Sequence, residues 1–154
     1  MIIVNQANQP KKPRFNPFAR RKARHLLLQA LYQWQLSNNA IVDIEIQFNR
    51  TNDMHKVDNT FFHELLHQIP AELDHLDNKF KPFLDRPLAE VSPIELALLR
   101  IGTYELCYRP DIPYKVAINE AVELAKVFGG EDGHKYVNSI LDQVARGARV
   151  SEVK

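Results

Sequence analysis

His63-Glu64-Leu65-Leu66-His67 matches the HExxH pattern. On a helix its two imidazoles stand one turn apart on one face and could bind zinc. The glutamate between them could activate a bound water. A catalytic zinc also needs a third protein ligand. The extended pattern continues with a glycine and then a third histidine, and here Pro70 and Leu73 fill those two places. Asp74 and His75 follow, but beyond the break that Pro70 imposes. The spacing favours two solvent-facing histidines beside Phe62, Leu65 and Leu66 over a zinc hydrolase. Cys107 sits in an apolar stretch that suits a buried thiol better than a nucleophile. There is no phosphate-binding glycine loop and no GxSxG elbow. A binding protein is expected, not an enzyme, with no cofactor and no metal.

The charge pattern suggests what is bound. Residues 1–24 carry Lys11, Lys12, Arg14, Arg20, Arg21, Lys22 and Arg24 and no acidic side chain. The chain holds 20 Lys and Arg against 19 Asp and Glu, so 13 basic and 19 acidic groups remain for residues 25–154. A segment near +7 thus precedes a body near −6, which the net +1 conceals. A basic arm on an acidic body suits a polyanion, nucleic acid being the commonest, with counterion release as the driving force. A disordered, solubilising tail is the alternative. Pro10, Pro13 and Pro17 argue against a transit-peptide helix. The lone cysteine fits a reducing cytosol, and no apolar run is long enough for a signal peptide or a membrane span. A cytoplasmic protein without a membrane role is expected.

These groups need a scaffold, and the periodicity is helical throughout. The 154 residues suffice for one core, and three of only five glycines cluster at 129, 130 and 133. Asn16-Pro17 is a helix start, with Asn as cap and Pro in the first turn. The helix runs to about Leu36 and buries Ala23, Leu27, Ala30, Leu31 and Trp34. Arg20, Arg24, Leu28 and Tyr32 share a second face. A short helix follows over about 41–50, then a polar loop to Asp58. Residues 59–84 are mostly helical, kinked or divided at Pro70. Ser92-Pro93-Ile94-Glu95 is a capping box. The helix it opens is apolar almost all round to about Cys107 and belongs in the middle of a bundle. Pro113–Phe128 forms the next helix, stopped by Gly129-Gly130. The last starts near Asp132, buries Val137, Ile140, Leu141 and Val144, and ends before Gly147. The expected organisation is a disordered basic extension over 1–16, a helical domain over 17–147 and a flexible tail over 148–154. About seven helices make it all-α.

The last helix turns Asp132, Lys135, Tyr136 and Ser139 to one face, with Lys126 just upstream. An exposed tyrosine beside lysines suits stacking and phosphate contact with single-stranded RNA. An ordinary polar face with a half-buried tyrosine fits the same spacing.

PYKVAINEAVELAKVF at 113–128 and KYVNSILD at 135–142 resemble the hallmarks of the NusB family of bacterial transcription antitermination factors. ARRKAR at 19–24, ALYQWQL at 30–36 and LRIGTYEL at 99–106 extend the resemblance over about residues 17–146. It implies two packed three-helix bundles plus a short extra helix, with no catalysis and no required cofactor. It implies binding to the boxA element of ribosomal RNA leaders, jointly with the small-subunit ribosomal protein NusE, in an RNA polymerase antitermination complex. RNA contacts are implied at Arg20, Arg21, Lys22 and Arg24 and in the region from Phe128 to Tyr136, which takes in Asp132 and Lys135. NusE contacts are implied at Tyr32 and Glu95. Some members of the family form homodimers that hide the RNA surface. The extension over 1–16 departs from the pattern. A related module occurs in RNA cytosine methyltransferases, where a catalytic domain follows it. The end at Lys154 makes that the less expected reading.

Overall fold

The computed structural model describes residues 15–153. Most of the basic extension, including Lys11, Lys12 and Arg14, lies outside them. Seven α-helices follow in chain order: α1 Pro17–Ser37, α2 Ile41–Thr51, α3 Asn59–Ala71, α4 Leu73–Phe80, α5 Pro93–Tyr108, α6 Tyr114–Phe128 and α7 Gly133–Ala148. Two single 3-10 turns, Lys81–Phe83 and Leu88–Glu90, fill the link from α4 to α5. Among the described residues there is no strand.

Helices α1, α2 and α3 pack into one bundle and α5, α6 and α7 into a second, while the short α4 lies on α5 and α7. Helix α1 also packs on α5 and so joins the two bundles. That position widens its buried stripe. Leu26 and Leu28 are buried beside Ala23, Leu27, Ala30 and Leu31. Asn16 Oδ1 accepts from the N–H groups of Phe18 and Ala19 at 3.0 and 3.2 Å, as the start signal requires. Asn38 closes the helix in the left-handed region at φ 57°.

Pro70 divides its segment. It sits in the last turn of α3, and α4 begins at Leu73. Ser92 caps α5 by accepting from Glu95 N–H at 3.3 Å, and its hydroxyl donates to Glu95 Oε2 at 2.8 Å. Helix α5 is buried from Ala97 to Leu106. A Cβ on Gly102 would stand 2.5 Å from Leu141 Cδ1, so glycine there lets α7 lie close against α5. Two charged pairs are sealed around α5. Arg100 grips Asp77 with two bonds of 2.9 Å. Arg24 grips Glu105 with bonds of 2.6 and 3.0 Å.

The C-terminal end differs from expectation. Helix α7 continues past Gly147, and residues 149–153 are fastened instead of forming a loose tail. Arg149 is 6% exposed. Its guanidinium donates to the carbonyls of Leu106 at 2.8 Å, Arg109 at 2.8 Å and Glu105 at 3.1 Å. Residue 110 is proline, so Leu106 C=O lacks its usual helical donor, and Arg149 replaces it. Glu152 binds Arg149 at 2.6 Å and accepts from Tyr114 N–H, the first residue of α6, at 3.2 Å.

Candidate nucleic-acid interface

The basic start of α1 divides into three environments. Lys22 is exposed and points outward. Arg21 is exposed, with its guanidinium on Glu120 of α6 at 3.1 and 3.3 Å. Arg20 is half-buried: it bonds Asp58 at 3.2 Å, and its guanidinium stacks between the rings of Phe15 and Phe61. Arg24, expected among the RNA contacts, is instead 3% exposed and fully engaged by Glu105. Its position on α1 explains this. Arg24 is turned inward to α5, where Glu105 meets it.

One turn beyond Arg21, the exposed His25 packs edge-on against Phe128 at the end of α6, with ring centroids 4.9 Å apart. The contacts Arg21–Glu120 and His25–Phe128 lay α1 alongside α6. The loop 129–132 follows directly on Phe128 and so adjoins this junction. His25 and Gln29, paired at 2.9 Å, were missed by sequence reasoning. Their spacing from Lys22 at one helical face was the available signal.

Around that loop the other cations sit beside carboxylates. Lys126 meets Glu123 at 3.1 Å, and Lys135 meets Asp132 at 3.6 Å, all four exposed. Exposed pairs of this kind contribute about 0–1 kcal/mol, so a phosphate can displace the carboxylate at little cost. Gly129 is extended, not left-handed. A Cβ there would stand 2.7 Å from Ala125 O, so glycine is needed for close passage.

Tyr136 does not offer the free ring that its spacing suggested. It packs at the edge of the core, and the Arg86 guanidinium lies 4.7 Å from its ring centroid. Its hydroxyl is buried without a well-formed hydrogen bond among the described residues. Burial, and then the neighbouring Asp85 carboxylate, push that hydroxyl's pKa up.

The two residues expected to meet a protein partner lie in adjoining depressions. Tyr32 lines an apolar groove of about 650 Å³ with Leu28, Leu36, Phe48, Ile94 and Phe128. Glu95 lies one residue beyond Ile94, in a more polar crevice with Arg86, Asp132, Lys135 and Tyr136. Its Oε1 would stand 2.9 Å from a Cβ on Gly133, which places the carboxylate at the first residue of α7. There it complements the positive end of that helix as well as accepting the Ser92 hydroxyl bond. Phe128 belongs to both the basic face and the groove.

The HExxH segment folds unlike a hydrolase site. His63 and His67 share the α3 face toward α2, where Glu45 bonds both. Glu64 faces elsewhere. It accepts from Tyr104 O–H at 3.1 Å and from Arg109 at 3.3 Å. Burial and that carboxylate push the Tyr104 hydroxyl up to about 12. No helix among the described residues is long and apolar enough to cross a membrane.

Fold and surface together define an all-helical two-bundle protein with a basic, aromatic-flanked face and an adjoining apolar groove. The family model described as "NusB family" matches residues 21–146, and the chain belongs to that family. It is 54% identical over 136 residues to the transcription antitermination protein NusB of Alcanivorax borkumensis, covering 88% of this chain and 91% of that one. It is 56% identical over 128 residues to the protein of the same name from Shewanella halifaxensis, covering 83% and 95%. The solved structure of T. maritima NusB superposes with a TM-score of 0.71 at 30% identity, covering 82% of this chain and 89% of that one.

Proposed function

We propose that the protein is a non-catalytic, RNA-binding transcription antitermination factor. It binds boxA-like single-stranded RNA and, together with NusE, promotes read-through by RNA polymerase. The observation that carries this reading is that Arg21 meets Glu120 and His25 meets Phe128, which brings the exposed basic start of α1, Lys22 included, to the aromatic end of α6. Lys126 and Lys135 flank the loop that follows. Cations spaced along a helix neutralise successive phosphates, and exposed rings provide surfaces on which bases stack. Arg20 and Asp132 border the same path. Arg24 and Tyr136 support it from beneath by fixing α1 against α5 and α7 against the link before α5. Titrating a boxA RNA at several salt concentrations tests the reading. Replacing Arg21 and Lys22 by Ala should weaken binding and reduce the salt slope by about 0.7 for each phosphate that is no longer neutralised. An unchanged affinity and slope would remove this face from consideration.

NusE is assigned to the apolar groove and its Glu95 border. A truncated central aromatic in an interface costs about 2 kcal/mol or more. Tyr32→Ala should therefore bind NusE at least about 30-fold more weakly while melting near wild type. Glu95→Gln keeps a side chain able to accept the Ser92 bond but loses the charge, so it should fold normally and lose any charge-assisted contact. Calorimetric titration of NusE into both variants reads this directly. Wild-type affinity in both would place the partner elsewhere.

A further inference from the structure

We propose that Glu45, His63 and His67 form a three-ligand site for a divalent transition-metal ion, of which zinc is the type, that pins α2 to α3. The two histidines sit one turn apart on α3 and turn their ring nitrogens to the same carboxylate on α2. His63 Nδ1 lies 2.6 Å from Glu45 Oε2, and His67 Nε2 lies 2.9 Å from Oε1. The three candidate ligand atoms all fall within 4.8 Å of one another. Zinc bonds of about 2.0–2.2 Å in a tetrahedral shell put ligand atoms roughly 3.3 Å apart. The two histidine–carboxylate contacts would open by about 0.4–0.7 Å, and any pair nearer the 4.8 Å limit would close toward the ion. These side chains can do so, since His63 is 63% exposed and His67 29%.

The donor set selects the class of ion. Two imidazoles and one carboxylate suit zinc and its first-row neighbours, whereas magnesium and calcium prefer oxygen alone. The fourth position opens to solvent on the side of His63. The site has no catalytic base, because Glu64 is held on the other face of α3 by Tyr104 and Arg109. It therefore binds and fastens and does not hydrolyse. Its reach extends further through α2, whose Phe48 lines the apolar groove. An ion here would fix one wall of that groove.

The test uses the full-length protein, freed of metal with chelator and titrated with Zn²⁺ by calorimetry and with Co²⁺ by visible absorption. One ion per chain is expected, with the intense absorption bands of low-symmetry, four-coordinate cobalt. His63→Ala and His67→Ala should each weaken uptake by about 100-fold, at least matching what is lost when only an outer partner of a ligand is removed. Glu45→Gln, which keeps the volume but not the charge, should also weaken it. His55→Ala, an exposed histidine off the site, should bind as wild type. Zn²⁺ should raise the melting temperature of the wild type and not that of His67→Ala. Failure of one-to-one uptake overturns the proposal, as does equal uptake by wild type and both α3 histidine variants. Either outcome leaves the cluster as a carboxylate bridging two imidazoles. RNA titrations of the same variants report separately on the basic face.

Discussion

Arg24→Ala is expected to destabilise the protein by about 3–5 kcal/mol, the cost of leaving one member of a buried ion pair without its partner. Arg24 and Glu105 are both almost entirely buried, and the guanidinium holds the carboxylate through bonds of 2.6 and 3.0 Å. Burial pushes the Glu105 carboxyl up, and Arg24 opposes that shift. Without Arg24 only the weaker pull of Arg20 opposes it, so Glu105 in the variant is driven toward its protonated form in the folded state. A carboxyl raised in the folded state contributes stability that is present below its ordinary value of 4.5 and lost as pH rises through the raised one. The deficit of Arg24→Ala against wild type should therefore be smallest near pH 4.5 and grow toward neutrality. Groups common to both proteins cancel in that difference. Urea melts of the two proteins across this range provide the measurement. A deficit that does not change with pH would mean that Glu105 stays charged and finds another partner. Replacing both members by apolar residues, Arg24→Met with Glu105→Leu, should recover most of the loss. If the double variant also binds RNA as wild type, any RNA defect of Arg24→Ala comes from the fold and not from Arg24 touching the RNA.

Arg149→Ala should cost about 3 kcal/mol, somewhat less than Arg24→Ala. Its guanidinium makes three bonds to carbonyls at the end of α5, and bonds to charged groups contribute about 1.5–3 kcal/mol each without being additive. No buried countercharge is stranded, because Glu152 is half-exposed. The specific damage falls on Leu106 C=O, which has proline four residues ahead of it and so no helical donor of its own. Arg149→Lys keeps the charge but not the planar fork, so it should fall between alanine and wild type. Denaturation midpoints order the three proteins. Amide exchange should show the loss concentrated at the end of α5, and an evenly spread loss would contradict the cap.

Much of the fold could be read in advance because its punctuation is local. Asn16-Pro17 and Ser92-Pro93 fix two helix starts within a few residues, and Pro70 divides α3 from α4 without help from the rest of the chain. The apolar surround of α5 correctly placed it at the centre. What escaped is non-local. Gly147 looks like a stop, but Arg149 has partners more than 40 residues away that draw α7 onward. Arg24 stands in a basic run and reads as surface. The clues were Leu28, one turn on, and Glu105, an acid inside an apolar helix that could not stay buried alone. The third member of the His63–His67 cluster could not be found by looking downstream. Glu45 lies on the preceding helix, and its spacing carries no signature. The basic face was legible as composition, but its path was not, because only the folded chain lays His25 against Phe128.

The clasp at Arg149 also bears on how the protein is made. The carbonyl of Leu106 waits for a donor that is synthesised 43 residues later. Until then the Leu106 carbonyl at the end of α5 has no protein donor, and that end is tied only from the other side, by Arg109 and Tyr104 to Glu64 of α3. A product released before residue 149 would carry the complete basic helix beside a frayed centre. Such a fragment would still attract nucleic acid, yet it would open readily to proteases. A chain that stops at the end of α7, before Arg149, is thus expected to be cut faster than the full chain in limited proteolysis.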